Sequence, residues 1–266
     1  MSHIVQSGIF PKLSLCSQID LYFRNNQFAN LHINDSFFSL DKFGKVSTDT
    51  YFNSLSVGKW KRYTNVNDLI FSIKFKGKIK IIWHLHRLHF SHRLIEEMYF
   101  ENDNISEISF SLTFWKDLED GMLSFDIEAL DYSELYDFYY STRSEILNPV
   151  SMGVVITHFN RQQYVLPALD RLKSELLLDS YFKNKVSLNV VDNSQNLPEI
   201  DGVNIIPNEN LGGSGGFTRG LMHLKENGSY THCLFMDDDA SCEVEGIKRT
   251  ISFLEHALDH KTALAG

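Results

Sequence analysis

The chain has 266 residues, is 43% hydrophobic and carries a formal charge of −9. That is enough length for one large domain or two ordinary ones, and enough apolar content for a packed core. The acidic balance argues against broad electrostatic binding to nucleic acid or anionic lipid, without excluding a local basic patch.

The N-terminal MSHIVQSGIFPKL has no basic segment followed by an apolar stretch, so no signal peptide is expected. No apolar run approaches the ~20 residues of a spanning helix. Three cysteines, Cys16, Cys233 and Cys242, show no paired spacing. This argues against a disulfide framework or zinc ribbon and fits a reducing cytoplasm. The expectation is a cytoplasmic protein, at most a peripheral visitor to the inner face of the plasma membrane.

Residues 1–140 read as strands. QIDLYF (18–23), FSIKFKGKIKIIWHLHRLHF (71–90) and ISEISFSLTFW (105–115) alternate apolar and polar residues. Period two predicts antiparallel strands buried on one face. KFGK, FKGK and ENDN read as turns between them. Helical patterns are scarce, so an antiparallel β-sandwich is expected. The histidines of WHLHRLHFSH (83–92) raise a metal site, against the plainer reading of polar positions on an exposed strand face. Phe37, Phe38, Tyr51, Phe52, Trp60 and Tyr63 suit either a sugar-stacking platform or a core.

The acidic, aromatic stretch 130–150 ends at Asn148-Pro149 and reads as a connection, with 141–150 as linker. Beyond it, over 151–266, the pattern changes. GVVITHF (153–159), VSLNVVD (186–192), VNIIPN (203–208) and HCLFMDDD (232–239) read as strands. Helical spacing occupies 162–176, 215–227 and 243–259. Alternating strands and helices imply a mostly parallel sheet, whose ligands bind outside the carboxyl ends of the strands. Each end carries polar chemistry. Thr157, Asn160 and Arg161 close the first strand, Asp192, Asn193 and Ser194 the second; NENLGGSGG follows the third, and Asp237, Asp238 and Asp239 close the fourth.

Three adjacent carboxylates repel one another unless a cation sits against them. The next basic residue downstream is Lys248. Hard oxygen ligands suit Mg²⁺ or Mn²⁺, which keep positions open for phosphate oxygens. Residues two apart in an extended segment point the same way, so Asp237 and Asp239 are the candidate metal ligands and Asp238 faces elsewhere. Capping of the following helix is the simpler reading, but one Asp would serve it. NLGGSGGFTRG (210–220) opens a helix, and its glycines permit close backbone approach to an anion. It is neither a Walker loop nor a good dinucleotide fingerprint, and a tight turn is the alternative. Arg219 suits either a phosphate or an exposed helix face. Asp192 suits nucleotide donors and a turn cap equally, and Arg161 is equally ambiguous.

Together VVITHFNR, VVDNSQ, NENLGGSGGFTRGL and FMDDDA resemble the nucleotide-sugar half of family-2 glycosyltransferases with the GT-A fold. More narrowly they resemble bacterial galactofuranosyltransferases, including the polymerising enzymes of the mycobacterial galactan. TDTYFNSLSVGKWKRYTNVNDLIFSIKFKGKIKI (48–81) resembles the N-terminal β-sandwich of the same proteins. The resemblance implies an all-β sandwich followed by an incomplete GT-A domain. It implies inverting transfer of galactofuranose from UDP-galactofuranose to a glycan or polyprenyl-linked glycan in cell-envelope synthesis, with no nucleic-acid partner and room for homo-oligomers. It further implies donor contacts from Thr157, Phe159, Arg161, Asp192, Asn210, Gly212, Gly213, Asp237 and Asp238, with Mn²⁺ or Mg²⁺ on Asp237 and Asp239. The family's general base and a further histidine ligand are expected beyond Gly266. Two alternatives stand beside this reading: a transferase using another nucleotide sugar such as dTDP-rhamnose, and a non-catalytic glycan-binding or assembly module.

Overall fold

A computed structural model describes residues 2–265. The chain divides into two compact units. One runs up to Leu147 and includes the residues from Ser252 onward, and the other is Asn148–Ile251.

The first unit is mostly antiparallel sheet. Its strands are β1 (His3–Ser7), β2 (Arg24–Asn25), β3 (Ala29–His32), β4 (Phe37–Leu40), β5 (Lys45–Ser47) and β6 (Leu55–Ser56), then, after helix α1 (Val57–Tyr63), β7 (Ile70–His86), β8 (Arg93–Ser111), β9 (Met122–Ala129) and β10 (Ser133–Thr142). The organising strand is β7. Residues 70–76 pair with β10, residues 79–86 pair with β9, and the opposite edge pairs with β8 throughout. From β10 the sheet continues through β4 to β3, and from β9 through β5 to β2. The two arms close on an aromatic core, where Phe71 lies 4.9 Å from both Trp83 and Phe125, and Phe125 lies 4.9 Å from Phe138 (ring centroids). This is the expected sandwich, with one strand shared by both layers.

Sharing requires a bend. Gly77 has φ +99° at a register shift, and a Cβ there would stand 2.4 Å from Ser133 Oγ and 2.5 Å from the Tyr132 carbonyl. Only glycine fits such a place. FKGK and ENDN are therefore not turns between strands: both lie within the β7–β8 hairpin, opposite one another at this bend. KFGK does make a turn, with Phe43 at φ 70°.

Two further expectations change. QIDLYF is not a strand; Ile19–Leu21 is a 3₁₀ turn, and Tyr22 and Phe23 are both fully buried, which strand alternation does not allow. Side chains satisfy its backbone, since Asn53 Nδ2 and Thr50 Oγ1 donate to the Tyr22 carbonyl at 2.7 and 2.8 Å. The stretch 130–150 is not all connection, because it contains β10, paired with β1, β4 and β7. A bulge between Leu135 and Asp137 breaks the alternation that would have marked it.

The second unit holds β11 (Met152–His158), α2 (Gln162–Leu172), β12 (Val186–Asp192), β13 (Val203–Pro207), α3 (Gly212–Asn227) and β14 (His232–Asp237). All four strands are parallel, in the order β13-β12-β11-β14. Helix α4 (Val244–His256) begins in this unit and ends in the first. The residues from Ser252 onward, assigned from sequence to the α/β part, pack with the β-rich unit: Phe253 lies 4.9 Å from Trp60, and Leu258 N donates to the Tyr63 carbonyl at 2.9 Å. No helix among the described residues is long and apolar enough to cross a membrane.

Candidate functional site

The order β13-β12-β11-β14 reverses direction of travel at β11. The chain steps outward from β11 to β12 and β13, then returns to place β14 on the other side. Such a switch point opens a crevice at the carboxyl ends of the two strands. Register aligns those ends, with Thr157 opposite Asp237 and, on the other side of β11, His158 opposite Asp192.

A pocket of about 330 Å³ lies there, lined by Thr157, Phe159, Arg161, Asn193, Asn210, Gly212, Gly213, Asp237 and Asp238. Eight of these are sequence candidates for donor contact. The ninth, Asn193, stands where sequence reading placed its neighbour Asp192. Asn193 is 6% exposed, its Oδ1 accepts from Asn208 Nδ2 at 2.8 Å, and its Nδ2 has no hydrogen-bond partner among the described residues. Strand alternation past Asp192 is the signal that could have found it.

Asp192 itself does not line the pocket. It is 1% exposed and anchors the turn after β12. Oδ1 accepts from Ser194 N and Oγ at 3.0 and 2.9 Å, and Oδ2 from Asn196 N and Leu197 N, both at 2.9 Å. Four acceptances fill a carboxylate. Burial opposes its ionisation, but the hydrogen bonds from Leu197, Ser194 and Asn196 outweigh it and hold the carboxyl below the usual range. Of the two readings left open from sequence, the observed contacts are those of the turn cap.

The three aspartates separate by role. Asp237 is exposed at the pocket and makes no side-chain hydrogen bond or ion pair among the described residues. Asp238 turns inward, 7% exposed, its Oδ2 accepting from Phe159 N at 3.1 Å and standing 3.2 Å from Nδ1 of the fully buried His158. Asp239, half-exposed, pairs with Arg161, whose guanidinium also lies 3.6 Å from Asp238 Oδ1. The positive partner that the local sequence lacks thus comes from the start of α2. Lys248 is engaged elsewhere, 2.9 Å from Asp179.

Among the described residues no group of three His, Cys, Asp or Glu side chains stands ready to hold a metal ion. Asp237 and Asp239 offer hard carboxylate oxygens of the kind Mg²⁺ and Mn²⁺ take. Asp239 would have to leave Arg161 to take part.

The glycine-rich segment serves two purposes. A Cβ on Gly212 or Gly213 would meet nothing within 4 Å, so these two keep the pocket wall open, and Gly212 has φ +72°. A Cβ on Gly216 would stand 2.3 Å from Thr157 Cγ2, and one on Gly220 2.2 Å from Val155 Cγ1. Those two bring α3 onto β11. Thr157 Oγ1, beneath Gly216, is buried without a hydrogen-bond partner.

In the first unit the His92 ring lies 4.7 Å from His84 and 5.5 Å from His86 (ring centroids), and His84 is bonded to Asp126 Oδ2 at 3.0 Å, but among the described residues these side chains form no group that could hold a metal ion. The aromatic candidates divide. Phe38 and Trp60 are core, while Tyr51 and Tyr63 are 77% and 54% exposed.

An open parallel sheet with a polar pocket at its switch point is the architecture of a ligand-binding α/β unit. The family described as galactofuranosyltransferase 2 N-terminal matches residues 9–141, and the chain belongs to that family. It is similar to galactofuranosyltransferase GlfT2 of Mycolicibacterium smegmatis, 23% identical over 221 residues, which are 78% of this chain and 34% of that protein. It is likewise 23% identical over 219 residues to GlfT2 of Mycobacterium tuberculosis, again across 78% of this chain and 34% of the relative. The chain thus spans 34% of the length of these relatives. Among solved structures, a carbohydrate-binding module of family 29 matches 53% of this chain and 88% of its own at 14% identity and TM-score 0.30. The xylan-binding module CBM22-1 of Paenibacillus barcinonensis Xyn10C matches 53% and 95% at 10% identity and TM-score 0.34. Scores this low carry no argument about this chain.

Proposed function

We propose that the second unit is the donor-binding part of a galactofuranosyltransferase that takes UDP-galactofuranose. The observation that carries the reading is the convergence of Arg161, Asn193, Asn210, Gly212, Gly213 and Asp237 on one pocket at the switch point, in a chain of this family. Arg161 offers a guanidinium suited to phosphate oxygens. The bare wall at Gly212 and Gly213 admits a diphosphate close to the start of α3, where backbone N–H groups favour anions. Asn193 and Asn210 offer amides for ribose or sugar hydroxyls, and the 46%-exposed Phe159 ring offers a flank. Asp237 and Asp239 would hold the divalent cation, which when bound offsets charge on departing UDP. Glycan or polyprenyl-linked glycan is the proposed acceptor class.

The test is calorimetry of UDP binding, with Mn²⁺ and then with EDTA. Binding should weaken sharply on chelation, and Asp237→Ala should remove the cation-dependent part. Equal affinity in both conditions would sink the cation's role. Tighter binding of dTDP than of UDP would redirect the donor assignment.

A further inference from the structure

We propose that His158 is a positioning residue of the nucleotide pocket, one that aims the pocket's aromatic and basic side chains without touching the ligand. The inference rests on the nucleotide reading of that pocket. His158 ends β11 and is fully buried, while its neighbours Thr157, Phe159 and Arg161 line the pocket. Burial alone needs no imidazole there. Val154 and Ile156, on the same face of β11, are equally buried and apolar. A buried imidazole costs free energy unless its ring nitrogens are bonded.

Those bonds run to the two neighbouring strand ends. Nδ1 stands 3.2 Å from Oδ2 of Asp238, just past β14, and Nε2 stands 3.3 Å from Oδ1 of Asn196, in the turn after β12. An ionised carboxylate only accepts, so Nδ1 carries the proton on that side. Asp238 passes the constraint on to the pocket. Its Oδ2 also accepts from Phe159 N at 3.1 Å, and its Oδ1 lies 3.6 Å from the Arg161 guanidinium. Between those two pocket residues Asn160 takes φ 54°, a left-handed bend that few side chains adopt. Asn160 N donates to Ser194 Oγ at 3.1 Å, and Asn160 Oδ1 accepts from Asn196 Nδ2 at 3.0 Å. The bend is thus clasped from the ends of β12 and β14, with His158 bonded to both sides of the clasp. Side chains carried on such a bend are only as well placed as its anchors.

The experiment uses the distinctness of the two ring nitrogens. His158→Asn keeps an amide donor where Nδ1 stands and loses the Asn196 side. His158→Gln reaches the Nε2 position and loses the Asp238 side. The full chain and its variants are titrated with UDP in the presence of Mn²⁺ and melted in parallel. His158→Asn should bind UDP within about threefold of wild type. His158→Gln should bind about tenfold more weakly, at a melting temperature like that of His158→Asn. A merely structural histidine would make both affinities follow the melting temperatures. Asn196 is exposed and does not line the pocket, so Asn196→Ala should melt as wild type does while binding UDP about threefold more weakly. Undiminished affinity in His158→Gln, His158→Asn as weak as His158→Gln, or full affinity in Asn196→Ala would each overturn the proposal. Failure of the wild-type chain to bind UDP would overturn the nucleotide reading itself, and this inference with it.

Discussion

Asp238 is 7% exposed, and its carboxylate receives Phe159 N and faces His158, so removing it strands buried polar groups. Asp238→Ala should destabilise the chain by roughly 2–4 kcal/mol, whereas Asp237→Ala, on an exposed side chain, should stay within about 0.5 kcal/mol. Urea unfolding of the two variants measures the contrast. The sequence predicted that Asp238 would face away from its neighbours, but it could not show that facing away meant facing inward to a histidine 80 residues distant. Asp192 makes a second prediction through pH. Its folded pKa is depressed, so its stabilisation is fully present above the unfolded value of ~3.9 and is lost as pH falls through the lower folded value. Asp192→Asn should lower stability at neutral pH and flatten the acid limb of the stability curve. An acid limb identical to wild type would show that the turn is not held by the ionised carboxylate.

Helix α3 and its approach to β11 depend on which glycines face where. Alanine in place of a helix-interior glycine gains up to ~1 kcal/mol of propensity. At Gly216 that gain meets Thr157 Cγ2 at 2.3 Å, and Thr157 belongs to a central strand that cannot yield easily. Gly216→Ala should therefore cost about 1–3 kcal/mol by overpacking and move the pocket wall. Gly213→Ala meets open space in the first turn of α3, so it should leave the melting temperature equal or slightly raised while weakening UDP binding through the methyl group it adds to the pocket. Thermal melts and UDP titrations of the pair test this; equal melting temperatures would remove the packing role of Gly216. Both glycines stand in the same NLGGSGGFTRG, where composition marks them alike. Only the packed helix tells the two that face a pocket from the two that face a strand.

Helix α4 supplies residues to both units, so the chain does not separate into an N-terminal and a C-terminal half. Phe253, 7% exposed, lies against Trp60 within the core of the first unit. Phe253→Ala should cost about 3–5 kcal/mol. The loss should appear in the unfolding of the β-rich unit, followed by calorimetry with Trp60 fluorescence. Loss confined to the α/β unit would contradict the assignment of α4's end. The residues before Asn148 are also tied down within the first unit: Asn65 Nδ2 donates to the Glu145 carbonyl at 2.8 Å and Leu147 N to the Glu255 carbonyl at 2.9 Å. The 141–150 stretch, read as a linker, is thus held over much of its length by the first unit.

By itself the sequence determined the change from period two to alternating strands and helices, and with it an antiparallel unit followed by a parallel one. It determined the four strand ends of that second unit, because a buried parallel strand is a continuous apolar run whose polar stop is easily seen. Periodicity is local, and local order is what those elements need. The tertiary structure alone decided what depended on distant partners. It bent β7 at Gly77 because Ser133 and Tyr132 leave no room for a side chain. It took Asp192 into a turn and turned Asn193 to the pocket. It answered the charge of Asp239 with an arginine 78 residues earlier. Carboxylates and glycines look the same in sequence whatever they face, and what each one faces is fixed only when strands far apart in the chain come into register.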